Sequence, residues 1–140
     1  MKPSTLKVEI MNVINKQKER VEGLLQLIQE NPDLPIVPMV DYEIIASDDY
    51  TYWTGSWGKA AIDEVYIDSE RIYFKSTDED LLADQFYDEI WDNVDQYKDL
   101  SEHEIGVLAE RRVEELNWKK AIVVYITLPD NNLFNYLEGK

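Results

Sequence analysis

Asp80, Asp84, Asp88, Asp92, Asp95 and Asp99 are the residues whose type and spacing most invite chemistry. On a helix, which advances about 100° per residue, all of them fall within one arc of about 120°. Four residues of helix rise about 6 Å, so Asp80 to Asp92 would form an evenly pitched row of negative charge. DNA carries one phosphate per roughly 3.4 Å of axis on each strand, and the slanted backbone sets neighbouring phosphates farther apart through space. The two pitches are similar. Such carboxylates would pair with the Lys and Arg that normally hold phosphates, which is binding chemistry rather than catalysis. Like charges at i,i+4 cost a few tenths of a kcal/mol each, and few cations interrupt this face, so something other than helix stability maintains it. The plainer reading is a solvated face that keeps the protein soluble. Trp91 lies at the edge of the arc, where it could replace a stacked base as a packed anchor, and Leu81 interrupts the acidic side.

A second candidate surface is Ser47 to Lys59, SDDYTYWTGSWGK, where acidic residues, large aromatics and two glycines suggest an irregular loop or bulged hairpin. Tyr52, Trp53 and Trp57 would serve as amphipathic anchors for a partner, since Tyr and Trp dominate binding hot spots. The alternative is that Trp53 and Trp57 cap the open end of the core. Gly55 and Gly58 do not make a phosphate loop, because the Walker spacing and its Lys-Ser/Thr ending are absent.

Catalytic and metal chemistry find little support. His103 is the only histidine, and its flanking Glu102 and Glu104 would point to other sides of a helix. No nucleophile motif accompanies it. Asp78-Glu79-Asp80 and Asp48-Asp49 lack the register of a calcium loop, and the adjacent pair Asp63-Glu64 would face opposite ways in a strand. The expectation is a protein that is not an enzyme and has no metal site or cofactor.

Composition narrows the class. Of 140 residues, 44% are hydrophobic and 11% aromatic, too many for a disordered chain and enough for one domain with its own core. The net charge is −15. Residues 41 to 104 hold 19 Asp or Glu against four Lys or Arg, whereas the flanks hold ten of each sign. An acidic middle repels nucleic acid and anionic lipid and attracts basic proteins, and no basic patch is visible for direct nucleic-acid binding. Without cysteine there is no disulfide or thiolate chemistry. No apolar run approaches a membrane span or a signal peptide, so the expected place is the cytoplasm.

The elements that would position these residues follow from hydrophobic period. Ser4 is a candidate cap for a helix over about 5–30, ended by Asn31-Pro32-Asp33. Leu34 to Asp41, with two prolines, suits an edge strand or extended lead-in, which Tyr42 to Ala46 would continue after a kink. Ala60–Ile67 and Arg71–Lys75 read as a hairpin around Asp68-Ser69-Glu70. The acidic helix would run from Ser76 to Leu100, opened by a Ser76/Glu79 capping box, with Leu82, Ala83, Phe86, Ile90, Val94, Tyr97 and Leu100 turned inward. A Ser101/Glu104 box opens a helix over about 102–117, carrying Leu108 and Leu116 inward. Ala121 to Leu128 is the strongest strand and belongs inside the sheet. The tail from Asp130 would fray or fold back as a short turn. The expected fold is one α+β domain over 1–140: an N-terminal helix, a mostly antiparallel sheet of about four strands, two consecutive helices and a closing strand.

The phrases LPIVPMVD, YWTGSWGKAAIDE, ERIYF and KKAIVVYITLP, spanning about residues 34–129, resemble a family of small acidic accessory proteins carried by phages and conjugative elements of Gram-positive bacteria. The resemblance implies no activity and no site residue, only a context in which such proteins act on host defence or nucleic-acid machinery. With the aspartate row, it yields the leading expectation: a nucleic-acid mimic that binds and inhibits a basic, nucleic-acid-binding host protein, of anti-CRISPR or anti-restriction type. The alternative is an interaction module docking through the aromatic stretch 50–57.

Overall fold

Ala121, Ile122, Val123 and Val124 are buried in strand β4, Lys119–Thr127. In the computed structural model, which describes residues 5–139, β4 is an interior strand of a four-stranded sheet of order β1-β4-β2-β3. The others are β1 (Ile36–Val40), β2 (Ser56–Ile67) and β3 (Ile72–Phe74). An interior strand has a ladder on each edge and little water near it, which is why this run can be almost wholly apolar. β1 lies at the sheet edge, where Pro38 needs no ladder partner for the N–H it lacks.

The architecture is α+β as expected, but the sheet is mixed. β1 runs parallel to β4, with Ile36 opposite Ile122 and Val40 opposite Ile126. β3 runs antiparallel to β2, with Val65 opposite Phe74. Ser56 lies against Thr127 and Gly58 against Tyr125, so β2 and β4 also run in opposite directions. The helices are α1 (Thr5–Glu30), α2 (Lys75–Asp92), α3 (Val94–Tyr97), α4 (Glu102–Glu114) and α5 (Asn131–Glu138). The expected cap Ser4 lies outside the described residues, as does the side chain of Val94.

The contacts group into two compact units. One comprises residues up to Ile62 together with those from Ala121 on; the other is Asp63–Lys120. In the first, Leu24, Ile122 and Val124 form the core, joined by Leu27, Ile28, Leu34, Ala60 and Ile126. Leu24, Leu27 and Ile28 share one face of α1 by helical spacing, and the helix stops where Asn31 Nδ2 donates back to the Leu27 carbonyl at 3.0 Å. Tyr42–Ile44 does not continue the strand. It forms a 3₁₀ turn, because the Asp41 carboxylate accepts from Glu43 N at 2.9 Å and offers the backbone a local alternative to the ladder. The tail from Asp130 is neither frayed nor a bare turn. It is helix α5, capped by Asp130 accepting from Asn132 N at 2.8 Å, in contact with α1 and closed at Gly139 with φ 81°.

In the second unit α2 packs on α4 and β3. Tyr73, Leu82 and Val113 form one buried group, and Ile90, Ile105 and Ala109 another. Phe86, Leu108 and Leu116 fill in around them as half-buried residues, as do Ala83, Tyr97 and Leu100, so these members of the expected inward set lie in the core. The Ser101/Glu104 capping box is present. The Ser76/Glu79 box is not: α2 begins at Lys75, Ser76 Oγ donates to the Asp63 carboxylate, and Asp78 takes Phe74 N at 2.7 Å. Asp63 lies outside the helix in sequence, so its competition for Ser76 is a tertiary effect.

Candidate acidic interface

Burying Leu82 and Ile90 turns the opposite side of α2 to solvent, and Asp80, Asp84, Asp88 and Asp92 are all exposed there. Two ion pairs, Arg71–Asp78 at 3.6 Å and Lys75–Glu64 at 3.5 Å, lie beside the start of α2. None of the four aspartates in the row has a cation partner among the described residues. The face therefore presents uncompensated charge with its hydrogen-bond acceptors open.

The expected ladder of six on one helix is corrected to four. α2 ends at Asp92, and Asn93 leaves helical geometry at φ −94° and ψ 60°. Its N–H donates to Ile90 O at 3.1 Å while its side chain donates to Gln96 Oε1 at 2.8 Å. An asparagine that satisfies neighbouring polar groups itself competes with the helical ladder. Asp95 then sits on the four-residue α3, and Asp99 in the turn after it, both exposed but beyond the end of α2.

Trp91 is half exposed and stacks on Tyr87, with ring centroids 6.3 Å apart and planes within 8°. By helical spacing Tyr87 neighbours Asp84, and Trp91 neighbours Asp88. Sequence reasoning missed Tyr87, although its i,i+4 relation to Trp91 was a usable signal. Trp91 also borders a small cavity of about 150 Å³, with Ile90, Tyr97, Lys98, Leu100 and Ile105. Tyr97 is held there by Arg112, whose Nη2 donates to its hydroxyl at 2.6 Å.

The aromatic stretch does not form one loop. Tyr52 is 90% exposed, and Trp53 is half-buried edge-on against Tyr50 with centroids 5.5 Å apart. Trp57 belongs to β2, where its N–H donates to Gln17 Oε1 of α1 at 3.0 Å. There it lines a much larger cavity of about 760 Å³ with Lys16, Arg20 and Lys59. Those three cations come from two separate segments, and the only sequence signal was the i,i+4 spacing of Lys16 and Arg20.

His103 is exposed in the first turn of α4. Asp63 and Glu64 have structural partners, Asp63 accepting from Glu64 N and Ser76, and Glu64 pairing with Lys75. Among the described residues no cluster of His, Asp or Glu could hold a metal ion, and no helix is long and apolar enough to cross a membrane. The hairpin turn holds the perturbed titrations. Asp68 accepts from Arg71 N and Glu70 N, each at 2.8 Å, and these bonds hold its carboxyl below the usual range. Burial, with Asp68 beside it, pushes the Tyr73 hydroxyl up. Arg71 covers the Tyr73 ring at 4.4 Å, so this corner is a structural lock on the turn.

No family model, curated protein or solved structure matches the chain.

Proposed function

We propose that the protein is an acidic nucleic-acid mimic that binds and inhibits a basic, nucleic-acid-binding protein of its host, in the manner of an anti-CRISPR or anti-restriction factor acting in the host cytoplasm. One observation carries the reading: Asp80, Asp84, Asp88 and Asp92 stand exposed and without cation partners beside the stacked Tyr87–Trp91 pair. Carboxylates replace phosphates against Lys and Arg of the target, and the field of a −15 protein speeds the encounter. The aromatic pair gives the face a packed, poorly screened anchor. Asp95 and Asp99 extend the charged surface without continuing its row.

The test is a pull-down from bacterial lysate with wild type and with Asp84→Lys/Asp88→Lys/Asp92→Lys as baits. Each retained protein is then purified and loaded with labelled DNA or RNA. Wild type displaces the nucleic acid, and displacement weakens steeply between about 0.05 and 0.5 M salt. Equal displacement by the reversed variant would overturn the reading.

A second reading is favoured by the exposure of Tyr52 at 90% and Tyr42 at 83%: a plain interaction module that docks through the aromatic segment. It requires binding that survives about 0.5 M salt, since hydrophobic contact is hardly screened, and that is lost on Trp53→Ala.

A further inference from the structure

The cavity bordered by Trp57 is cationic in a strongly acidic chain. Lys16 and Arg20 lie one turn apart on α1 and Lys59 on β2, against one lining carboxylate, Asp130. None of the three cations has an ion-pair partner among the described residues, although the protein has about twice as many acids as bases to offer. Like charges one turn apart are a net cost to a helix. Three unpaired cations turned into one concavity are what an anionic ligand requires.

The rest of the lining narrows the ligand. Trp57 borders the cavity with a half-exposed indole, and its backbone is fixed by the bond from its N–H to Gln17. Gly58 makes that placement possible: a Cβ there would come within 2.7 Å of the Tyr125 carbonyl, so only glycine lets β2 lie this close to β4. Asp130 is already engaged, since its carboxylate accepts from Asn132 N to cap α5. Its remaining acceptor capacity suits a sugar hydroxyl better than a phosphate. The volume, about 760 Å³, lies within the roughly 300–1,000 Å³ range of small-ligand sites.

We propose that this pocket binds a nucleotide, its phosphate held by Lys16, Arg20 and Lys59 and its base stacked on Trp57. Guanidinium and ammonium groups are the usual partners of phosphate, and every base has a face that can stack on indole. The net negative charge of the protein does not forbid this, because at about 0.15 M salt exposed charges farther than roughly 8 Å are largely screened. The site is independent of the acidic face, and its ligand is the small molecule rather than a polymer.

The experiment is calorimetric titration of the full chain with each of the four ribonucleoside monophosphates and, separately, with inorganic phosphate. At least one monophosphate saturates with a Kd below about 1 mM, and inorganic phosphate binds at least about tenfold more weakly. Lys16→Gln/Lys59→Gln, at two exposed positions, weakens the nucleotide about tenfold or more without moving the melting temperature. Trp57→Ala also weakens it about tenfold, while Trp57→Phe keeps most of the affinity because a stacking face remains. Absence of saturation by every monophosphate up to about 1 mM overturns the proposal. So does unchanged affinity in Lys16→Gln/Lys59→Gln, or phosphate binding as tightly as the nucleotide.

Discussion

The acidic face of α2 and the cationic pocket bordered by Trp57 are opposite solutions to holding charge. The face is drawn from one helix: Asp80, Asp84, Asp88 and Asp92 repeat every fourth residue, with the core residues Leu82 and Ile90 fixing which way they turn. The pocket is assembled from α1, β2, the end of β4 and the segment leading into α5. One is a convex row open to solvent, suited to another macromolecule; the other is a concavity suited to a small anion. Net charge governs long-range approach, whereas the local arrangement of side chains governs what is bound. A chain at −15 can therefore carry sites of both signs.

The largest effect removes both regions at once. Val123 is 1% exposed in β4, so Val123→Asp buries a charge with no partner. The loss is on the order of 5 kcal/mol, comparable with the whole stability of a small domain. A thermal melt should show no cooperative transition at room temperature; a wild-type melting temperature would refute the placement of β4.

Trp91→Ala sharpens the contrast from the acidic side. A packed aromatic anchor is worth about 2 kcal/mol at an interface, so the target's affinity should fall roughly 30-fold with nucleotide titration unchanged. Loss of both would mean that the regions are coupled. Gly58→Ala acts from the other side. The added methyl meets the Tyr125 carbonyl at 2.7 Å, an overpacking of about 1.5 kcal/mol that lowers the melting point by about 5 °C and weakens nucleotide while leaving target binding intact.

The smallest effect concerns neither site and serves as a control. Asp68 has a depressed folded-state pKa because Arg71 N and Glu70 N donate to it. Its charge therefore stabilises the fold above its unfolded pKa, and that contribution disappears as pH falls through the lower folded value. Asp68→Asn should melt earlier than wild type at neutral pH, with the gap closing at strongly acid pH and both binding activities unchanged at neutral pH. A gap that persists undiminished into strong acid would show that the charge is not responsible.

What could be read from the sequence follows the range of the interactions. The position of β4, the edge placement of β1, the end of α1 at Glu30 and the Ser101/Glu104 box each depend on local period or capping and were legible. The end of α2 at Asp92 was not, because Asn93 carries a local side-chain bond that helical periodicity does not weigh. The Ser76 cap was lost to Asp63, thirteen residues away. The parallel pairing of β1 with β4 joins segments about 86 residues apart, as Ile36 opposite Ile122 shows, and no local pattern encodes it. Four of the six aspartates were placed correctly as one row, whereas the cationic pocket depends on bringing Lys16 to Lys59 and was invisible. Helix α5 was missed because its Asp130 cap and its packing on α1 outweigh an otherwise weak, short segment.

The most direct measurement is displacement of labelled nucleic acid from the purified target by three proteins side by side: wild type, Asp84→Lys/Asp88→Lys/Asp92→Lys, and Lys16→Gln/Lys59→Gln. If α2 mimics phosphates, wild type and the pocket variant displace equally well. The reversed variant, with an unchanged melting temperature, then displaces at least about a hundredfold less, since each desolvated charge pair is worth about 1.5 kcal/mol or more. Displacement by the reversed variant at wild-type concentrations would contradict the account and leave the aspartates as a solubilising face.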